Sequence, residues 1–252
     1  MWKEILIKNY KQIKWIKKSS LLTAKTLDMI WKFVKKGIST LELDNICNNF
    51  IKKHWWTSAC IWYNWFSRYT CISLNDTICH WIPSNSEILK EWDILNIDIT
   101  TIVDWYFGDA SRMYTVWKIN KKANNLIIAT HDALKTWIEQ IFPWNHFWNI
   151  WYEISKFSEK LWYSVVVDYT GHWVWINFHE DPYICDKATK NSWEIMKSWM
   201  IFTVEPMLNI WQHYTKILDD GWTVKTKDST LSAQWEHTVL VTKTWYEILT
   251  EI

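Results

Sequence analysis

The sequence predicts an α+β fold, an antiparallel β-sheet with helices packed against it. Three observations carry that prediction. Stretches with apolar residues at helical spacing are set apart from runs of strand-like residues, instead of alternating with them one for one. Residues 94–103 alternate with a period near two and run into Asp104-Trp105 and then a second polar–apolar run, the outline of a hairpin. The length of 252 residues allows one large domain or two small ones, with a core that hides about three-quarters of the unfolded surface. No repeat at a period of 20–50 residues and no low-complexity linker divides the chain, so residues 1–252 are expected to form a single domain.

In chain order, a first helix is expected from about Ile5 to Lys35, with Ile13, Ile16, Leu22, Leu27, Ile30 and Val34 near helical spacing. Lys35 and Lys36 suit the negative end of its dipole, and Gly37 supplies a left-handed stop. Ser39 followed by Glu42 is a capping-box pattern that opens a second helix through about Lys53. Thr70 to Leu74 and Ile94 to Val103 read as strands. Two more helices fit 122–141 and 149–161, ended by Pro143 and by Trp162-Tyr163. The remainder is mostly strand, at 164–167, 200–204 and 237–241.

Composition narrows the function. Lys and Arg number 28 against 27 Asp and Glu, a formal charge of +1. That balance removes the electrostatic case for nucleic-acid binding, and Lys14, Lys17 and Lys18 read as a solvated helix face. The opening MWKEILIK lacks a charged-then-apolar leader, and no stretch approaches 18 uninterrupted apolar residues, so no membrane association is expected. Five Cys (47, 60, 71, 79 and 185), an odd number without any C-x-x-C, favour reduced thiols and a cytoplasmic location.

One ratio is abnormal. The chain has 24 Trp and only 4 Gly, where ordinary usage of about 7% would supply roughly 18 glycines. Tryptophan also sits where turn chemistry asks for glycine, as in Asp104-Trp105, Trp92-Asp93, Pro143-Trp144-Asn145 and Thr244-Trp245. We read most of these tryptophans as standing for glycine, through a codon read as Trp here and as Gly in the source.

With glycine at 105, the pair Asp104-Trp105 becomes the preferred two-residue type I′ hairpin turn. Residues paired symmetrically about it place Asp98 opposite Ser111, and Asp109 two residues further along the same face. The two carboxylates are then diagonal neighbours, at most about 7–8 Å apart at Cβ. They repel unless a cation lies between them. On these two residues alone, a metal site and two solvated acids on an edge hairpin both stand. Four further residues extend the set. His172 and His179 flank the segment GHWVWINFHE, Glu205 lies in the apolar run IFTVEPM, and Glu236 lies in SAQWEHTVLV. Acids inside apolar strands are rarely buried without a partner. Four carboxylates with one or two imidazoles suit a pair of divalent ions such as Mn, Fe, Co or Zn, which would balance the charge and could hold a hydroxide nucleophile.

The order Asp98, Asp109, His172, Glu205, Glu236, in the contexts NIDIT, GDAS, GHWVW, TVEPM and SAQWEHT, resembles the type I methionine aminopeptidases. The resemblance covers about residues 3–250 and includes CISLNDTICHWIP, FHEDP, DGWTVKTKD and LSAQWEHTVLVT. It implies the pita-bread fold, a pseudo-two-fold antiparallel sheet covered by helices on one side. It also implies removal of the initiator methionine from nascent polypeptides through a hydroxide bridging two metal ions (Co, Mn, Fe or Zn). By the same resemblance Asp98, Asp109, His172, Glu205 and Glu236 are the metal ligands, with Glu205 also a proton shuttle. His80 contacts the substrate amine and scissile amide, and His179 steadies the carbonyl oxygen. Cys60, Tyr63, Phe66, Cys71, Phe178 and Trp222 fall on positions lining the methionine pocket, a soft aromatic surface suited to a thioether, although plain core packing would also account for them.

Glu205 and Glu236 are 31 residues apart, which leaves no room for the helical insertion of type II enzymes. Neither a zinc-binding N-terminal extension nor the extra N-terminal domain of the creatinase and X-Pro relatives is expected. The implied protein is a cytoplasmic monomer that meets the ribosome surface. Departures fall on family glycines: Trp62, Trp81, Trp92, Trp105, Trp117, Trp144, Trp162, Trp173, Trp175, Trp199, Trp211 and Trp245. Phe107 replaces a frequent histidine. Real indoles at 173 and 175 would crowd the metal histidine. Two other readings remain open at this point: a related dimetal peptidase of X-Pro type, with a different pocket, and a non-catalytic binding homologue if those tryptophans are real.

Overall fold

The computed structural model describes residues 5–169, 171–172 and 190–252. The chain runs twice through a similar order, two helices and then strands. The first pass contains α1 (Tyr10–Ile30), α2 (Thr40–Lys53), β1 (Thr57–Ser58), β2 (Cys71–Leu74), β3 (Thr77–Cys79), β4 (Ile94–Val103) and β5 (Tyr106–Thr115). The second opens with α3 (Lys121–Ile138), α4 (Phe147–Leu161), β6 (Ser164–Val165), β7 (Ile201–Val204) and β8 (Met207–Asn209). It closes with β9 (Thr215–Ile217), β10 (Val224–Thr226), β11 (Ser232–Gln234), β12 (Glu236–Val241) and β13 (Tyr246–Ile248).

The main sheet is antiparallel. β4 pairs with β1 and β2 on one side and β5 on the other, β5 pairs with β12, and β12 carries β7 and β13. Each half of the core has its own helix pair. Leu27 of α1 and Leu43 and Ile51 of α2 are buried with Ile97 and Ile99 of β4. Leu134 and Ile138 of α3 are buried with Phe202 of β7 and Val239 of β12.

Most expected elements lie where the pattern puts them, and the ends differ for local reasons. The Ser39–Glu42 capping box forms in both directions and opens α2 at Thr40. The first helix is shorter than expected. It starts after Asn9, whose own capping box with Gln12 sets the entry, and it tightens to a 3₁₀ turn at Trp31–Phe33. Val34 is already extended and packs on the core, so Gly37 (φ +90°) serves the turn into α2 and not a helix stop. α3 ends at Ile138, three residues early, because successive i→i+3 bonds from Gln140 and Ile141 carry Ile141 into the core.

The 104–105 turn has φ +51° and +69°, the type I′ geometry the pairing requires. Trp105 is one of ten tryptophans in the left-handed region among the described residues: 55, 62, 65, 92, 105, 117, 144, 162, 193 and 199. Four of the six other non-glycine residues there are Asn or Asp, which tolerate this region, whereas a bulky side chain there is an outlier. Trp81, Trp211 and Trp245 are not left-handed, so turn conformation does not demand glycine at those three. Trp173 and Trp175 lie outside the described residues.

Candidate metal centre

The hairpin arithmetic holds in the structure: Asp98 is opposite Ser111, and Thr100 is opposite Asp109. On the next strand Glu236 faces the same Ser111, and Cys71 of β2 faces Asp98. Cys71, Asp98, Ser111 and Glu236 therefore form one row across four strands. Side chains alternate along a strand, so Asp109, two residues from Ser111, projects from the same face. Val204 pairs with His237, which brings Glu205, the residue after β7, alongside Glu236.

His172 comes from outside the regular strands and is fixed by backbone pairing. Its carbonyl accepts the Thr203 N–H at 2.8 Å, and its own N–H donates to Thr203 Oγ1 at 2.9 Å. The imidazole Nε2 then lies 3.4 Å from Asp109 Oδ2 and 3.8 Å from Glu205 Oε1. Asp109, His172 and Glu236 each offer a ligand atom within 4.8 Å of the other two, and all three residues are buried. Asp98 joins them through the sheet row and through its electrostatic effect on Glu236.

The electrostatics make this concentration of acid costly for an unliganded site. Burial first, then Asp109, Cys60 and Glu205, push the Asp98 carboxyl well above the usual carboxylate range. Burial and the charges of Asp109, Glu205 and Asp98 do the same to Glu236. Glu205 is pushed up to about 7, by burial and Asp109 acting against His172 and hydrogen bonds from Thr203 and Gln234. Bare carboxylates this close must hold protons or surrender them to a cation. An oxygen-rich donor set with one imidazole fits a hard or borderline divalent ion.

Four polar residues outside the sequence candidates hold Asp109 and Glu205. Thr100 Oγ1 donates to Asp109 Oδ1 at 2.7 Å, and Thr238 Oγ1 donates to the Asp109 carbonyl at 2.7 Å. Thr203 Oγ1 donates to Glu205 Oε1 at 3.0 Å, and Gln234 Nε2 reaches Glu205 Oε2 at 3.3 Å. For Thr203 the signal lay in the period of two, since it stands two residues before Glu205, whereas Gln234 reaches Glu205 from a different strand.

His80 follows β3 with φ +61°, a strained conformation of the kind that gathers at working sites. Its ring meets Tyr169 and Trp222 edge-on at 5.7 and 5.8 Å. Burial and the nearby His172 push its pKa down to about 4, so the ring is neutral at physiological pH. Cys60, Phe66 and Cys71 form one small apolar cluster, with Ile82 and Trp222 packed against it. Tyr63 belongs to the same turn, its N–H bonded to the Cys60 carbonyl and its carbonyl to the Phe66 N–H. Phe178 and His179 lie outside the described residues.

An antiparallel sheet carrying an acid-rich, imidazole-bearing cluster beside a small apolar cluster defines a metallohydrolase type of site. The description Metallopeptidase family M24 matches residues 14–243, and the chain belongs to that family. It is 42% identical over 245 residues to a methionine aminopeptidase of Buchnera aphidicola, spanning 97% of this chain and 94% of that protein. It is 40% identical over 247 residues to the methionine aminopeptidase of Escherichia coli, spanning 98% and 94%. Among solved structures, the methionine aminopeptidase of Rickettsia prowazekii superposes with a TM-score of 0.95 at 42% identity, covering 98% of this chain and all of that one. The fold is accordingly the pita-bread fold, mixed α+β.

Proposed function

We propose that this chain is a methionine aminopeptidase that releases the initiator methionine from nascent polypeptides. One observation carries the reading: carboxylate and imidazole ligand atoms drawn from β5, β12 and the segment beside β7 lie within 4.8 Å of one another in a buried site. Relatives at 40% identity and above across nearly the whole chain support this reading over an X-Pro specificity or a ligand-free binding role.

Asp98, Asp109, His172, Glu205 and Glu236 would hold two divalent ions (Co, Mn, Fe or Zn), which when bound supply a hydroxide nucleophile at neutral pH and a Lewis acid for the carbonyl. Glu205, held by Thr203 and Gln234, accepts a proton from the water that becomes the nucleophile and returns it to the leaving amine. His80, neutral and held between two rings, orients the free amine and the scissile amide. His179 steadies the carbonyl oxygen as charge develops on it. The methionine side chain fills the pocket of Cys60, Tyr63, Phe66, Cys71, Phe178 and Trp222, where polarizable sulfur and aromatic edges suit a thioether. The chain works as a single domain over residues 1–252, a cytoplasmic monomer at the ribosome surface. Among the described residues no helix is long and apolar enough to cross a membrane.

The test is release of free methionine from Met-Ala-Ser by protein purified from its own source, loaded in turn with Co, Mn, Fe and Zn. Turnover with at least one metal is expected, together with its loss by at least a hundredfold in Asp109→Asn. A wild type inactive with every metal overturns the reading, and cleavage of X-Pro peptides in place of Met-Ala-Ser assigns the second specificity.

A further inference from the structure

We infer that Thr203 is the positioning residue that couples His172 to Glu205. Its side chain is fully buried between β12 and the His172 segment. One hydroxyl serves both neighbours, accepting the His172 N–H at 2.9 Å and donating to Glu205 Oε1 at 3.0 Å. The hydroxyl has a single proton, and the carboxylate is the stronger and nearer acceptor compared with the His172 carbonyl at 3.3 Å. The Thr203 amide already serves that carbonyl. Two hydrogen bonds thus tie residue 172 to residue 203, and the hydroxyl proton continues the link to Glu205. Gln234 holds only the other oxygen of Glu205, at 3.3 Å. Without the Thr203 hydroxyl, Oε1 is free to rotate away from His172 Nε2, which lies 3.8 Å off, and the His172 amide loses its acceptor in a buried setting. Partners that orient metal ligands in this way are worth about 10–100-fold in metal affinity or activity.

The inference rests on the reading of the site as a metal centre, and its test separates the two. Thr203→Val removes the hydroxyl at nearly constant volume, and Thr203→Ser keeps it. Mn²⁺ titrated calorimetrically into metal-free protein should bind Thr203→Val at least tenfold more weakly than wild type, with Thr203→Ser within about threefold of wild type. In turnover of Met-Ala-Ser, kcat should fall at least tenfold in Thr203→Val with KM changed less than threefold, and Ser should restore it. Equal Mn²⁺ affinity in wild type and Thr203→Val, or a Ser variant no better than Val, overturns the role of Thr203. A wild type that binds no Mn²⁺ overturns the metal site itself. Should Thr203→Val not fold, Thr203→Ala takes its place with the same expected outcomes.

A different observation, the backbone, carries a second inference. We infer that the ten left-handed tryptophans are glycine in the protein as its own cell translates it. Their φ values run from +60° to +79°, a region open to glycine and closed to bulky side chains. Eight of the ten indoles are more than half exposed, so at those eight positions burial does not repay the strained backbone. Trp222 is the internal control, since its φ is not positive and its ring packs on Phe66 at 5.2 Å. Peptide mapping by mass spectrometry of protein isolated from its source should read glycine at the ten positions and tryptophan at 222. Tryptophan at most of the ten overturns the inference.

Discussion

Asp44 is fully buried on α2, and its Oδ1 accepts three hydrogen bonds, from the Tyr69 and Thr70 amides and the Thr70 hydroxyl. Its Oδ2 has no partner among the described residues. Burial outweighs the three bonds and pushes its pKa up to about 6. A carboxyl with a raised folded-state pKa binds its proton more tightly when folded, so its stabilising effect is full below about pH 4 and is lost as pH rises through 6. The difference amounts to about 3 kcal/mol. Urea denaturation of the metal-loaded protein should therefore show Asp44→Asn gaining on wild type between pH 4 and 7 by up to that amount; parallel stability curves would count against it. Residues of this kind were not legible in the sequence. Asp44 sits in LELDNIC, where it reads as an ordinary polar helix position, and only tertiary packing seals it from water. Asp98 and Asp109 were legible because a hairpin converts sequence spacing into spatial register with few free variables.

At the scale of elements, legibility followed the range of the interaction. The type I′ turn and the Ser39 capping box are contacts within a few residues, and both formed as read. The polar stripe of α1 depends on a distant neighbour and was not anticipated. Ser19, Ser20 and Thr23 are buried on a helix face that apolar spacing alone would have filled with aliphatics. Gly108 of β5 supplies the reason, since a Cβ there would sit 2.2 Å from the Ser20 amide nitrogen. Thr23 Oγ1 instead donates to the Gly108 carbonyl at 2.7 Å, and Ser19 Oγ to the Thr101 carbonyl at 2.8 Å. Helix and hairpin thus meet backbone to backbone. Gly108→Ala must push α1 off the hairpin and should cost about 3 kcal/mol or more, at the upper end for overpacking. Trp105→Gly, at the tip of the same hairpin, should stabilise by about 1–2 kcal/mol by relieving a left-handed indole. Chemical denaturation of both variants checks the pair, and a neutral Gly108→Ala would show that the contact can relax.

Across the whole molecule, the site is a product of sheet order. β4, β5 and β12 lie side by side although more than a hundred residues separate β5 from β12, and that adjacency sets Glu236 opposite Ser111. No periodicity in one sequence reveals which distant strands become neighbours. Acids in apolar strands suggested a shared site for Glu205, Glu236 and the hairpin acids, but their order and roles in it were legible only through the family resemblance. The same order stacks carboxylates that cannot all be charged in the absence of a cation. In metal-free protein Glu205 has a pKa raised to about 7, so its stabilising effect is complete below its unfolded value and drains away as pH rises through 7. Burial and mutual repulsion move Asp98 and Glu236 in the same direction. A bound divalent ion reverses the sign, because it favours the ionised carboxylates and displaces their protons. The melting temperature of EDTA-treated protein should therefore fall as pH is raised from 6 to 8, while the increment restored by Mn²⁺ grows over the same interval. Calorimetry in buffers of different ionisation enthalpy should show protons released on Mn²⁺ binding, and more of them at pH 6 than at pH 8. A metal-induced stabilisation independent of pH would mean that the carboxylates are already ionised before the metal arrives, and that the sheet tolerates their repulsion by some other means.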